Sequence, residues 1–163
     1  MESDYIEELN FLSKIIVESL TEKKLNISFA ESITGGLFVS NLTKISGASK
    51  VLSESFITYS EEAKTEILSV SPELLKSSGV YSIEVAEAML EGLSKISSAA
   101  VLLAVSGIAG PEAPENHSVG EIYMAIKVLD KIIKLKTIFS GTREDIQMQT
   151  VIYGFKKILE LLK

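Results

Sequence analysis

The sequence predicts an α/β fold, a three-layer α/β/α sandwich around a mixed sheet, in a single domain. Three observations carry this expectation. Helical and strand-like periodicities alternate through the first two-thirds of the 163 residues. The run Ala99 to Val105 is uninterrupted and apolar, as suits a central strand buried on both faces. Two β-rich stretches separated by Asp130-Lys131 then read as an antiparallel hairpin, and a last amphipathic segment follows.

Taken in order, Ile6, Leu9, Leu12, Ile15, Ile16 and Leu20 recur at helical spacing and predict a helix over about 3–22. Leu25 to Ala30 reads as a strand. Thr34 to Ile45 returns to a helical period on Leu37, Val39, Leu42 and Ile45, so Glu31-Ser32-Ile33-Thr34-Gly35-Gly36 is a strand-to-helix turn. Val51 to Tyr59 is a second strand, and Ser60 caps the helix that carries Ala63, Ile67 and Leu68. Pro72 suits the first turn of a short helix, and Ser82 caps another over about 83–96. Gly107 to Val119, with two prolines and the only histidine, is a loop. Gly120 to Leu129 and Ile132 to Phe139 form the hairpin, and about 142–162 is the closing helix.

Composition narrows the function classes. The chain is 46% hydrophobic and 23% charged, as an ordinary globular domain is. Its formal net charge of -6, with no basic run, disfavours nucleic acid as a partner. The absence of cysteine excludes disulfides, thiolate metal sites and a cysteine nucleophile. With His117 alone, a histidine-rich metal site is impossible and a Ser-His-Asp triad would need that residue. The acidic start MESDYIEELN is no secretory signal, and no apolar window is long enough to span a membrane. A cytoplasmic protein is expected.

Four places could carry chemistry. The turn Glu31 to Gly36 joins a strand end to a helix start, where backbone N–H groups are free and glycines allow close approach. Such a turn can hold a phosphate or an oxyanion, or present Ser32 as a nucleophile. On the motif alone, a capping serine with two packing glycines is the favoured reading. In Thr58-Tyr59-Ser60-Glu61-Glu62-Ala63-Lys64, a buried lysine could act as a base, although an isolated lysine is usually solvated. Ser106 and Gly107 follow the most buried strand at its C-terminal end, the edge where open α/β sheets bind ligands, or belong to a plain Gly/Pro turn. Arg143, the only arginine, stands near the start of the last helix, where its fork suits a phosphate or carboxylate, or pairs at the surface with Glu144 or Asp145. His117, with Glu115 as acidic neighbour, reads as a solvated loop residue.

These pieces together resemble one family. AESITGG at 30–36, GAS at 47–49, ITYSEEAK at 57–64, SGIAGP at 106–111, VGEIYMA at 119–125 and FSGTRE at 139–144 follow the order and spacing of the nicotinamide-nucleotide amidase (PncC) family, the CinA C-terminal domain family. GVYS at 79–82 corresponds more loosely, and the resemblance covers about 8–160. It implies that residues 1–163 are a single CinA C-terminal-like amidase domain, without the extra N-terminal domain of larger CinA proteins. It implies hydrolysis of the carboxamide of nicotinamide mononucleotide to nicotinate mononucleotide and ammonia. By the same resemblance Ser32 is the nucleophile and Tyr59 and Lys64 assist it. Thr34, Gly35 and Gly36 of the glycine turn, together with Ser106, Gly107 and Arg143, hold the substrate. The partner is then a small pyridine nucleotide. No cofactor and no metal is needed, and a homodimer is one assembly the family uses. The sequence departs from the family's pattern at Ile33 (commonly Cys), Glu61 (Asn), Ser106 (Thr) and the loop EAPENHSVG, which lacks the usual glycines and lysine.

A mechanism follows for such a site. Amide hydrolysis needs a nucleophile, a base and donors for the oxyanion. Lys64 would take the Ser32 proton directly or through Tyr59, and backbone N–H groups near Thr34 and Gly35 would hold the oxyanion. Two other readings remain at this stage: a non-catalytic nucleotide-binding protein, and an amidase for another small amide.

Overall fold

In a computed structural model, which describes residues 2–163, the chain folds as α1 (Glu2–Lys23), β1 (Ile27–Glu31), α2 (Leu37–Thr43), a 3-10 turn (Ala48–Lys50), β2 (Leu52–Ile57), α3 (Glu61–Leu68), α4 (Pro72–Ser78), α5 (Ile83–Ile96), β3 (Val101–Gly107), β4 (Glu121–Val128), β5 (Lys131–Ile138) and α6 (Arg143–Leu161). The five strands form one sheet in the order β2-β1-β3-β4-β5. β1 runs parallel to both β2 and β3, and β4 and β5 run antiparallel. The sheet is mixed, as the sequence predicts.

Period-two alternation explains the layers. Ile27 and Phe29, Val101, Leu103 and Val105, and Ile122, Met124 and Ile126 point to one face, where they pack with residues of α1, α2 and α6. Phe38 is the centre of that layer, stacked on Phe29 at 5.3 Å and meeting Phe155 edge-on at 5.2 Å. Ala30, Leu102, Ala104, Tyr123 and Ala125 point to the other face, under Leu68, Leu75, Val85, Met89 and Leu93 of α3 to α5. A β-carbon on Gly92 would stand 1.9 Å from the Leu68 carbonyl oxygen, so α5 and α3 meet only through a glycine. At the sheet edge, β5 keeps Lys131, Lys134 and Lys136 along its length, which blunts strand addition by another chain.

Helix starts follow their caps. The hydroxyls of Ser60, Ser71 and Ser82 accept from the backbone N–H of Ala63, Leu74 and Val85, and Thr142 forms a reciprocal capping box with Asp145. Two boundaries differ from the sequence expectation for a physical reason. α2 begins at Leu37 instead of Thr34 because Gly35 (φ 58) and Gly36 (φ 100) are left-handed. The hairpin turns on Leu129-Asp130, with Leu129 at φ 55, because Lys131 already pairs with Val128 in the ladder.

The parallel strands set the location of the site. Glu31 pairs with Ile57 on one side and Val105 on the other. The C-terminal ends of β1, β2 and β3 therefore lie abreast, and the segments leaving them, 32–36, 58–60 and 108–120, share one edge of the sheet.

Candidate active site

Ser32 leaves the end of β1, its N–H bonded to the Val105 carbonyl at 3.1 Å. Its own carbonyl accepts from Gly35 N–H at 3.1 Å, which closes a tight turn. The turn is held from below by Glu31. This carboxylate, wholly buried, accepts the Thr34 hydroxyl at 2.7 Å and the backbone N–H groups of Gly36, Phe38 and Val39 at 3.0 to 3.1 Å. Burial pushes the Glu31 carboxyl up from its ordinary value, and the four donors oppose that rise. Glu31 thus takes up the orphan amides at the start of α2.

Lys64 arrives from the first turn of α3. Its side chain is 0% exposed, and its Nζ lies 3.0 Å from Ser32 Oγ and donates to the Thr58 carbonyl at 2.7 Å. No carboxylate is among its hydrogen-bond partners. Burial lowers its pKa to about 8, against a smaller opposing effect of the Glu61 charge. At pH 7 about a tenth of the molecules then carry a neutral amine here. A seryl oxygen and an amine whose pKa burial lowers are thus in hydrogen-bond contact.

Tyr59 is 61% exposed and its hydroxyl accepts from Arg143 at 2.9 Å. Among the described residues no bond joins it to Ser32 or Lys64, so of the two proton routes considered from sequence only the direct one has a contact. The Arg143 guanidinium also donates to the Gly110 carbonyl at 2.7 Å, tying α6 to the 108–120 loop. Neither Glu144 nor Asp145 pairs with it; Asp145 is taken by the capping box.

The remaining expected residues divide. Gly36 has φ 100 and would bring a β-carbon to 2.9 Å from Ile57 Cδ1, so its conformation shapes the turn. The hydroxyls of Thr34 and Ser106 are turned inward, to Glu31 and to the Val80 carbonyl at 3.2 Å. A β-carbon on Gly107 would stand 2.6 Å from the Glu121 carbonyl oxygen and 3.0 Å from Ile33 Cδ1, so the glycine is needed for close approach. Gly35 spends its N–H within the turn. Among the described residues the amides of Ile33 and Thr34 meet no backbone acceptor.

A cavity of about 170 Å³ opens at Ser32 and is walled by Ile33, Tyr59, Tyr81, Gly107, Glu112 and Arg143, among others. A wider groove of about 560 Å³, with Thr34, Gly35, Lys44 and Gln147 in its lining, shares Arg143 with it. His117 pairs with Glu121 at 2.9 Å, not with Glu115. No group of three or more His, Asp or Glu that could hold a metal occurs among the described residues, and no helix there is long and apolar enough to cross a membrane. Sequence reasoning passed over Glu31 and Tyr81. The available signal for Glu31 was a charged residue closing an otherwise apolar strand.

The family model for the CinA C-terminal domain matches residues 9–162. A competence-damage inducible protein of Caldicellulosiruptor saccharolyticus is 43% identical over 133 residues, 81% of this chain and 32% of that protein. A CinA-like protein of Petrotoga mobilis is 35% identical over 149 residues, 91% of this chain and 37% of that protein. The chain thus spans about a third of the length of these relatives. Among solved structures, the competence/damage inducible protein CihA of Agrobacterium tumefaciens superposes with a TM-score of 0.92 at 31% identity, covering 96% of both chains. A CinA superfamily protein of Escherichia coli gives 0.90 at 28% identity, covering 94% of this chain and 90% of that one.

Proposed function

The chain belongs to the CinA C-terminal domain family, and from that premise we propose that it hydrolyses the carboxamide of nicotinamide mononucleotide, with residues 1–163 acting as one amidase unit. The observation that carries the reading is the 3.0 Å contact between Ser32 Oγ and the buried Nζ of Lys64. A lysine held without a carboxylate, with its pKa near 8, is suited to act as a base and poorly suited to a purely structural role.

The steps follow from the donors and acceptors present. The neutral Lys64 amine takes the proton of Ser32 Oγ as that oxygen adds to the amide carbonyl carbon. The carbonyl oxygen becomes an oxyanion, held by the Ile33 and Thr34 backbone N–H groups. Loss of one such donor in other hydrolases costs about 3–4 kcal/mol. The tetrahedral intermediate collapses, the C–N bond breaks, and the Lys64 ammonium gives its proton to the departing amide nitrogen, which leaves as ammonia. Water then adds to the acyl ester, giving its proton to Lys64. Ser32 leaves with a proton, and the carboxylic acid product ionises. Tyr59 and Arg143 do not carry this proton. They close the side of the cavity past which the rest of the substrate runs.

Size supports a substrate that enters by one end. The cavity at Ser32 is smaller than the ~300–1,000 Å³ that encloses whole drug-sized ligands. It takes the ring and its amide, while the ribose phosphate passes Arg143 toward the wider groove and Lys44. The test is ammonia release from nicotinamide mononucleotide by the protein and by Ser32→Ala. The expected result is turnover abolished by the substitution with nucleotide binding retained. Full turnover by Ser32→Ala rules the covalent scheme out.

A further inference from the structure

Outside the Ser32–Lys64 pair and the Glu31 turn, a second polar cluster gathers on Glu121. Glu121 is buried at the start of β4. Its Oε2 lies 2.9 Å from His117 Nδ1, accepts the Tyr123 hydroxyl at 2.5 Å, and stands 3.8 Å from Lys136 Nζ. The His117 ring in turn meets the Tyr81 ring edge-to-face, with centroids 5.9 Å apart and planes at 75°. Tyr81 itself walls the cavity at Ser32, as does Glu112. The segment carrying Tyr81 is fixed at both ends: Val80 O accepts from Ser106 Oγ at 3.2 Å, and Ser82 Oγ donates to Gly79 O at 3.0 Å. An aromatic ring at a cavity wall is therefore braced by a histidine that a buried carboxylate holds.

The proton relay of the mechanism uses none of these groups. We propose that Tyr81 and Glu112 form the recognition wall for a cationic, N-substituted pyridinium ring, with His117 and Glu121 as residues that position Tyr81. The proposal rests on the amidase reading and deepens it by naming the feature of the substrate that this wall selects. An aromatic face attracts a desolvated cation through its quadrupole, and planar rings also stack on it. The Glu112 carboxylate, in the lining of the same cavity, adds a counter-charge. Arg143, which lines both this cavity and the wider groove, supplies the opposite sign. The lining thus offers groups for a molecule that carries both a positive ring and a negative phosphate.

The test uses the full chain carrying Ser32→Ala, so that ligands are bound without turnover. Calorimetry compares nicotinamide mononucleotide with its reduced dihydropyridine form, which keeps the shape and phosphate and loses the ring charge. The parent is expected to prefer the charged form by about tenfold or more. Tyr81→Leu should reduce that preference to about twofold, weakening the charged form well beyond the reduced one, and Tyr81→Phe should restore it. Glu112→Gln and His117→Leu should give intermediate preferences. Equal loss of both ligands in Tyr81→Leu, no loss of the charged one, or no binding of either by the parent overturns the proposal. Charge-selective binding that depends on Tyr81, with no ammonia released by the unsubstituted protein, would instead retire the amidase reading and keep this site.

Discussion

Replacing Glu61 with glutamine should make the protein faster on the acid side and leave its alkaline plateau alone. Burial lowers the pKa of Lys64 to about 8, and the Glu61 charge pulls it back up. In the proposed mechanism only the neutral amine accepts the Ser32 proton. The active fraction is then about 1% at pH 6, about 9% at pH 7 and half at pH 8. The profile of kcat/KM should therefore rise about 50-fold between pH 6 and pH 8 and level off above pH 9. Removing the carboxylate lowers the Lys64 pKa further and moves this limb to lower pH. Glu61 is exposed and water-screened, so the gain is modest, about two- to fourfold at pH 6 to 7, and it should shrink in high salt. Ammonia release from nicotinamide mononucleotide between about pH 5.5 and about pH 9.5, with and without Glu61→Gln, measures both effects. A flat profile from pH 6 to 8, or a limb displaced to higher pH in the variant, would refute the assignment of Lys64 as base.

Two further outcomes follow from the same groups. Lys64→Met should lower kcat by about 10²–10⁴ and remove the alkaline rise in stability that this lysine gives the parent. The native pKa lies below the unfolded value, so the unfolded chain binds more protons, and stability rises with pH between about 8 and 10.4. Below pH 8 the full cost of burying this ammonium applies, about 3 kcal/mol. A melting temperature that rises with pH between about 8 and 10.4 in Lys64→Met as it does in the parent speaks against that linkage. Glu31→Gln should destabilise by about 1–3 kcal/mol, because an amide cannot accept all four donors that the carboxylate holds. It should also lower kcat more than it raises KM, since the turn that carries Ser32 loosens. Thermal unfolding and steady-state kinetics check the pair.

Much of this was legible in the sequence, for stated reasons. Ser82 and the stretch at about 83–96 declared their helix by cap and period, and the run Ala99 to Val105 declared by unbroken apolarity the central strand that forms as Val101–Gly107. The meeting of Ser32 and Lys64 follows from β1 and β2 being neighbours, which periodicity alone could not give. The start of α2 was misplaced because a helical period continues through glycines whose positive φ forbids it. Glu31 went unnoticed because a carboxylate at a strand end ordinarily faces water, and only the fold shows four donors converging on it. Tyr81 and His117 lie 36 positions apart, and nothing local signals that Glu121 holds the histidine against the tyrosine.

The account turns on the charge of one amine. A nitrogen-15 NMR titration of the Lys64 side chain, assigned by loss of its signal in Lys64→Met, reads that charge directly. The expected midpoint is about 8. A midpoint near 10.4, as for a solvated lysine, would contradict the account, because almost no neutral amine would then be available to Ser32 at neutral pH.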